Sequence, residues 1–227
     1  MKYEQVISGR FISRPNRFIA YVDINGKTEL VHVKNTGRCK ELLAENVLVY
    51  LSVSNNPQRK TKYDIIAVEK VTDLGTRIIN MDSQIVNDVA EEYLQSVFPK
   101  ATIKREVTFG NSRFDFYIEN EERRIFCEVK GVTLENCGVV SFPDAPTERG
   151  VKHLNELISA TKQGYGAMVL FVVQMEGVKY LIPNDITHKV FGDTLRLAHQ
   201  IGVEIMAIDC LVTPNAILPN VKVEVRL

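Results

Sequence analysis

Hydrophobic and polar residues alternate with a period of two through most of the first third of the chain. Segments rich in Val, Ile, Phe and Tyr predict five strands, at 4–13, 17–24, 28–34, 46–53 and 62–71. Asn25-Gly26 is a strong hairpin signal, and we expect one helical insertion near 38–45. This pattern predicts a small barrel, for which the five-stranded oligonucleotide-binding (OB) barrel is the best candidate.

After residue 71 the pattern changes, and we expect a short linker at 72–79. Apolar spacing of three and four predicts a first helix over 83–98, with Ser83 as its cap. We expect the other helices at 146–163 and 185–201, and strands at 102–109, 112–119, 123–130, 167–175, 178–182, 203–210 and 221–226. The sequence therefore predicts an α/β protein, with a small β domain at 1–75 and a mixed sheet flanked by helices at 76–227.

The predicted hairpin from Arg113 to Lys130 carries acids on both of its strands. Pairing about the turn sets Asp115 opposite Glu128, with Lys130 two residues further along the same face. Facing like charges, about 4.5–5.5 Å apart, destabilise a sheet unless something lies between them. The pattern indicates a divalent-metal site beside a charge-stabilising lysine. The alternative is a charged strand face that is simply solvated.

The segment from Phe142 to Leu154 is the second candidate motif. Thr147 or Asp144 can cap the helix that follows, whose apolar residues share one face. We expect Arg149, Lys152 and His153 on the opposite face, where the two cations suit phosphate contacts and His153 could transfer a proton or contact phosphate. The alternative is a solvent-facing surface with an ion pair to Glu156.

Basic residues crowd the loops and strand ends of the predicted barrel. The first 75 residues carry 12 Lys and Arg against 8 Asp and Glu, whereas the remainder carries 16 against 20. Loops of OB barrels hold single-stranded nucleic acid, so these basic residues indicate a DNA-binding role. The alternative is that they are ordinary solvated side chains. The candidates for phosphate contacts are Arg14, Arg17, Arg38 and Arg59.

Composition narrows the setting of the protein. The four cysteines form no Cys-x-x-Cys pair, which disfavours a zinc site or a disulfide framework. The amino terminus lacks an apolar run suited to secretion, and the longest apolar run, 167–173, is too short to cross a bilayer. We therefore expect a cytoplasmic protein with no membrane partner.

These motifs, together with Asn35-Thr36-Gly37-Arg38, give the chain a family resemblance. The chain resembles the sugar fermentation stimulation protein A family in three further places: the segment Phe142–Leu154, Asp115, and Glu128-Val129-Lys130. The resemblance covers nearly the whole chain. It implies an amino-terminal OB-like barrel, a carboxy-terminal nuclease-like domain of the PD-(D/E)xK type, and DNA binding with little sequence preference.

The resemblance also implies roles for individual residues. Asp115 and Glu128 would bind Mg²⁺ or Mn²⁺, with the carbonyl of Val129 as a further ligand, while Lys130 would orient water and offset phosphate charge. Glu92, or its neighbour Glu91, is the candidate for an additional acid from the first helix. Arg113-Phe114 precede Asp115, so the proline of the PD motif is absent. Nucleases of this type are often dimers, so a homodimer is possible.

Two functions remain open from the sequence. The first is a divalent-metal-dependent phosphodiesterase on DNA, for which Asp115, Glu128 and Lys130 would be the catalytic set. The alternative is a non-catalytic, sequence-nonspecific DNA-binding or regulatory protein linked to sugar metabolism. Retention of all three residues favours hydrolysis, or at least metal binding.

Overall fold

The computed structural model describes residues 1–35, 37–72 and 75–227. Within these ranges the amino-terminal strands form one sheet in the order β3-β2-β1-β4-β5-β6, which β3 and β5 close by pairing in parallel. The strands are β1 (Val6–Ser13), β2 (Ile19–Ile24), β3 (Lys27–Val33), β4 (Leu48–Val53), β5 (Tyr63–Thr72) and β6 (Gly75–Asn80). The predicted five-stranded barrel is confirmed, and Asn25-Gly26 makes the turn between β2 and β3 with positive φ at both residues.

Two local predictions in this part of the chain were wrong. The expected linker at 72–79 contains β6, which pairs antiparallel with β5 and so extends the barrel sheet; positions 73 and 74 lie outside the described residues. The expected helical insertion is a series of turns in which Leu42 and Leu43 donate to the carbonyl of Cys39. Cys39 and Asn46 have positive φ, a conformation that does not continue a right-handed helix.

The second sheet has the order β10-β11-β13-β15-β14-β12-β9-β8-β7 within the described residues. Its middle strands β9, β12 and β14 run parallel, whereas β7, β8 and β9 form an antiparallel run. The elements are α1 (Val86–Val97), β7 (Thr102–Phe109), β8 (Ser112–Glu119), β9 (Arg124–Val132), β10 (Glu135–Asn136), β11 (Val139–Phe142), α2 (Glu148–Lys162), β12 (Gly166–Val173), β13 (Tyr180–Pro183), α3 (Asp185–Ile201), β14 (Glu204–Thr213) and β15 (Ala216–Val225). The predicted mixed sheet flanked by helices is confirmed.

The helices cover opposite faces of this sheet. Val89 and Leu94 of α1 pack in one apolar cluster with Cys127 of β9, while α2 and α3 pack in another with Phe126. Neighbouring residues of β9 therefore point into different cores, as expected for a central strand buried on both faces. No helix within the described ranges is both long and apolar enough to cross a membrane.

The start of α1 differs from the prediction. Ser83 does not cap the helix; its hydroxyl donates to the carbonyl of Lys34 at 2.6 Å, and α1 begins at Val86 after an uncapped Ile85. Ser83 instead links the segment before α1 to the barrel. This contact with the end of β3 could not be read from local spacing.

Candidate metal and nucleic-acid site

The β8–β9 hairpin has the register that the sequence predicts. Phe116 faces Cys127 and Tyr117 faces Phe126, so Asp115 lies one step beyond these pairs, toward Glu128. The amide of Val129 donates to Asp115 Oδ2 at 2.8 Å. The carboxylate of Asp115 is thereby fixed against the backbone of β9.

The face that carries these acids is not an open polar face. Strict alternation breaks at Asp115, because Phe114 packs with Phe126 under α2 while Phe116 packs under α1. Glu128 is only 4 % exposed. The solvated strand face considered as the alternative is therefore wrong for Glu128, which lies inside the fold.

A cavity of about 660 Å³, called here the central cavity, collects the predicted residues Asp115, Glu128, Val129 and Lys130. Its walls come from the middle of β8, from the second half of β9, from the start of α1, from the 142–147 loop and from the barrel. The wall residues used below are Arg17, Asn35, Gly37, Asn87, Asp144, Arg149 and Gln174.

Glu128 has two oxygens in different situations. Oε1 is contacted by Lys130 Nζ and by His153 Nδ1. Oε2 is buried and, among the described residues, has no hydrogen-bond partner. Leaving a buried charged oxygen unpaired costs free energy, so a further donor or a cation at this atom would stabilise the site.

The two acids differ in pKa direction. Burial and the neighbouring Glu128 carboxylate raise the pKa of Asp115, against the hydrogen bonds from Val129 and Asn87. Burial also acts to raise the pKa of Glu128, but His153 and Lys130 outweigh it and lower that pKa below its usual value. Repulsion between the two carboxylates is therefore built into the site, and a cation between them would relieve it.

Helix α1 contributes an amide to the site, and the structure does not bring either predicted helical acid there. Asn87 Nδ2 donates to Asp115 Oδ1 at 2.9 Å. Glu91, about one helical turn of 5.4 Å further on, is held by Arg105, and Glu92 pairs with the amino group of Met1 at 3.4 Å. Asn87 was missed because nothing in its spacing separates it from an ordinary helix-surface residue.

Thr147 caps helix α2, because its hydroxyl accepts a hydrogen bond from the amide of Gly150. Of the two predicted caps, Thr147 and Asp144, the structure thus uses Thr147. The expected position of His153 on the solvent face was wrong. His153 is buried together with Gly150, Leu154 and Leu157, which are spaced by three and four residues. The helix therefore buries a wider stripe than its apolar residues alone indicate, and His153 reaches Glu128 instead of solvent.

The two cations of α2, Arg149 and Lys152, contact different parts of the protein. Arg149 is exposed, lines the central cavity and donates from Nε to His153 Nε2 at 3.4 Å. Since Nε2 accepts, Nδ1 carries the proton and donates to Glu128. Lys152 is exposed and donates to the carbonyl of Asn111 at 2.7 Å, outside the cavity. Neither cation uses Glu156 in the way that the ion-pair alternative required.

The four candidate arginines of the barrel divide into two structural and two exposed residues. Arg14 donates to the carbonyls of Arg17, Asn35, Gly37 and Arg38, at 2.6–3.0 Å. Its guanidinium holds two loops together through these four carbonyls.

Arg59 is likewise engaged within the protein. It forms a two-pronged ion pair with the buried Asp64, at 2.8 and 2.5 Å. Arg17 and Arg38 are exposed, and Arg17 lines the central cavity. The structure therefore engages Arg14 and Arg59 with oxygens of the protein and leaves Arg17 and Arg38 as the two exposed candidates for phosphate contacts.

The barrel and the second domain meet at this cavity. A Cβ on Gly37 would lie 2.6 Å from Asp144 Oδ2 and 2.9 Å from Asn35 Oδ1, so the 142–147 loop comes close to the barrel at this glycine. Gln174 follows β12, lines the cavity, and donates to Asn80 Oδ1 at the end of β6 at 3.0 Å. Thr36, inside the Asn35–Arg38 motif, lies outside the described residues.

Among the described residues, no group of three or more His, Cys, Asp or Glu side chains is arranged to hold a metal ion. The site offers two carboxylates instead. Mg²⁺ is commonly held by one or two carboxylates, with the remaining ligands supplied by water and by substrate phosphate. The donor set of Asp115 and Glu128 fits that kind of ion.

Two family models match the chain. Residues 12–79 match the SfsA N-terminal OB domain, and residues 81–216 match the sugar fermentation stimulation protein RE domain. The two matched ranges meet at Asn80, where β6 ends. Together they span both domains.

Individual relatives are similar over their full length. The sugar fermentation stimulation protein homolog of Clostridium beijerinckii is 56 % identical over 220 residues, covering 96 % of both chains. That of Desulfitobacterium hafniense (strain DSM 10664 / DCB-2) is 54 % identical over 229 residues, covering 100 % of this chain and 99 % of the relative.

A solved structure is also similar. It is described as the structure of Pyrococcus furiosus SfsA in complex with Ca²⁺, and is 26 % identical with a TM-score of 0.87, covering 100 % of this chain and 98 % of that one. The family models, the full-length relatives and the shared fold agree, and the chain belongs to the sugar fermentation stimulation protein (SfsA) family.

Proposed function

We propose that this protein is a divalent-metal-dependent phosphodiesterase that acts on DNA with little sequence preference. The observation that carries the proposal is the buried oxygen Glu128 Oε2, which has no hydrogen-bond partner in the described part of the chain and lies in a residue that lines the same cavity as Asp115. A buried carboxylate oxygen without a donor is the chemistry of a cation site.

Asp115 and Glu128 would hold Mg²⁺ or Mn²⁺, with the carbonyl of Val129 as a further ligand. When bound, such an ion lowers the pKa of its water and neutralises charge on a phosphate. Asn87 and the Val129 amide orient the Asp115 carboxylate, while His153 and Lys130 hold the other oxygen of Glu128. Each acid thus has its own supporting donors, which hold both carboxylates in place.

Cations of the chain itself suit the phosphate. Lys130 lines the central cavity beside Glu128, where its ammonium group would orient water and offset charge on the phosphate. Arg149 and Arg17 are exposed, and both line the same cavity. Because guanidinium groups match phosphate oxygens with paired donors, these two arginines would bind the phosphates on either side of the reacting one.

The relative from Pyrococcus furiosus supports a divalent cation, since that structure is described as a complex with Ca²⁺. Ca²⁺ and Mg²⁺ are both hard ions that take oxygen ligands. Mn²⁺ accepts the same donors and is a useful probe for either.

The proposal is tested by incubating the purified full chain with single-stranded, duplex and branched DNA, in Mg²⁺, in Mn²⁺ and in a chelator. We expect metal-dependent cleavage that Asp115→Asn, Glu128→Gln and Lys130→Ala each abolish while DNA binding stays largely intact. Glu92→Gln is the matched control, because that acid is paired with Met1 away from the cavity. Its activity should equal that of the wild type.

Calorimetric titration with Mn²⁺ separates the metal site from the chemistry. Binding should be lost in Asp115→Asn and Glu128→Gln and kept in Glu92→Gln. If DNA is bound but never cut and Mn²⁺ does not bind, the enzyme is ruled out and the non-catalytic DNA-binding alternative takes its place.

A further inference from the structure

We propose that a second pocket, at the mouth of the barrel, binds one unpaired nucleotide of the substrate strand, which makes single-stranded or frayed DNA the preferred substrate. This inference rests on the proposed function and adds the substrate class to it. The pocket, called here the barrel pocket, has a volume of about 340 Å³ and is lined by Phe11, Leu43, Cys39, Arg17, Arg38 and Lys40 among others. That volume lies at the small end of the range for sites that hold small molecules, about 300–1,000 Å³.

The floor of the barrel pocket is apolar. Phe11, Cys39 and Leu43 are buried members of the barrel core that face it. Burial and the nearby Glu41 carboxylate raise the pKa of the Cys39 thiol to about 12, so the floor carries no thiolate at neutral pH. A flat apolar group such as a nucleobase suits this floor, whereas a charged ligand would be desolvated there.

The rim of the barrel pocket is basic. Arg17, Arg38 and Lys40 are exposed, and no carboxylate is among the described lining residues. Arg14 ties the two rim loops together through its four carbonyl contacts, which holds the rim cations in place without using their own donors. An apolar floor below a ring of cations is the arrangement by which proteins bind a base together with its phosphates.

The two cavities adjoin. Arg17 and Gly37 line both the barrel pocket and the central cavity. A strand with a phosphate at Asp115 and Glu128 would therefore pass Arg17 and place a base further along the strand in the barrel pocket. A base that is still paired cannot enter a pocket of this size, so a duplex would first have to open, which costs free energy that a single strand does not spend.

Phe18, the chain neighbour of Arg17, offers a second apolar contact to the strand. It follows Arg17 in the sequence, and its side chain is 56 % exposed on the barrel surface. Exposed aromatic rings beside a basic path serve as stacking platforms for successive bases. Since Phe18 lies outside the cores, replacing it should leave the fold intact.

The test measures DNA binding of the full chain in a chelator, so that it does not depend on cleavage. A short labelled oligothymidylate is compared with an abasic oligomer of equal length, which has the same phosphates and no bases, and with a duplex. We expect oligothymidylate to bind about tenfold more tightly than the abasic oligomer, which is the gain in affinity expected from stacking one base. Lys40→Ala and Phe18→Ala should shrink this preference.

Matched controls come from the same barrel. Lys60→Ala removes an equal charge away from the pocket, and Tyr21→Ala removes a partly exposed ring from the middle of β2; neither should change the preference for bases. Equal binding of the two oligomers, tighter binding of duplex, equal losses in Lys40→Ala and Lys60→Ala, or no binding of either oligomer would overturn the inference. Base preference without any cleavage would sink the proposed hydrolysis alone, whereas cleavage without base preference would sink the barrel pocket alone.

Discussion

Asn87 of α1 donates a hydrogen bond of 2.9 Å to Asp115 of β8, and so connects the first helix of the second domain to a carboxylate of the central cavity. The other oxygen of Asp115 accepts from Val129. The carboxylate therefore has one donor on each oxygen and a fixed orientation toward the neighbouring Glu128.

Replacing Asn87 with Ala should weaken metal binding without unfolding the protein. Loss of an outer-shell hydrogen bond typically lowers metal affinity about 10- to 100-fold, so we expect a loss of that size for Mn²⁺. Calorimetry on the full chain gives the number. Asn155→Ala, an exposed amide on α2, is the control and should bind Mn²⁺ like the wild type; equal affinities in all three proteins would remove Asn87 from the site.

The roles of Arg14 and Arg17 should separate in stability measurements. Arg14→Lys keeps the charge but loses the guanidinium that reaches several carbonyls, so we expect it to lower the free energy of unfolding by about 1–3 kcal/mol. Arg17→Ala should change that free energy by less than about 0.5 kcal/mol. Urea denaturation checks both, and an Arg14→Lys variant as stable as the wild type would contradict the loop-tying role.

Arg17 and Arg59 should also differ in how DNA binding responds to salt. If Arg17 contacts a phosphate, Arg17→Ala should lower the slope of log affinity against log salt by about 1. Arg59→Ala should leave the slope unchanged, because its guanidinium is paired with Asp64. Fluorescence anisotropy over a series of salt concentrations measures both slopes. Equal changes in the two variants would be inconsistent with the assignment.

The ion pair of Asp64 should make the barrel sensitive to acid. Burial acts to raise the pKa of Asp64, but hydrogen bonds from Arg59 and His32 outweigh it and lower the pKa below the usual value. A carboxyl group with a lowered pKa in the folded state stabilises the protein fully above its unfolded pKa, and this contribution is lost as pH falls through the folded pKa.

We therefore expect Asp64→Asn to be less stable than the wild type at neutral pH, by about 2 kcal/mol for the lost charged hydrogen bonds. The gap should narrow as the pH falls below about 4, the ordinary pKa of Asp. Urea denaturation of both proteins across this range tests the sign. A gap that widens toward low pH would show that Asp64 does not contribute in this way.

The strands and helices of the fold could be predicted where the signal was local. The expected bounds of β7, β8 and α3 agree with the structure, because spaced apolar residues between turn signals and a run at helical spacing mark them directly. β6 was taken for a linker and β10 and β11 were not predicted. β10 and β11 are short, with two and four residues, and β6 is recognised as a strand only through its pairing with β5.

The candidate site was predictable only in its hairpin part. The register that brings Asp115 toward Glu128 follows from the turn, so spacing alone sufficed. The burial of His153 and the use of Arg14 and Arg59 inside the protein depend on neighbours distant in sequence, such as Glu128 and Asp64. Charged side chains look alike in a sequence whether their donors face solvent or a carbonyl of the same protein.

Cleavage of single-stranded DNA by the full chain, followed while Mn²⁺ is added to metal-free protein, tests the central claim most directly. The account predicts that cutting begins only with the metal, saturates with it, and is absent in Glu128→Gln at every metal concentration. Cutting that is independent of Mn²⁺, or that Glu128→Gln carries out as fast as the wild type, would contradict it.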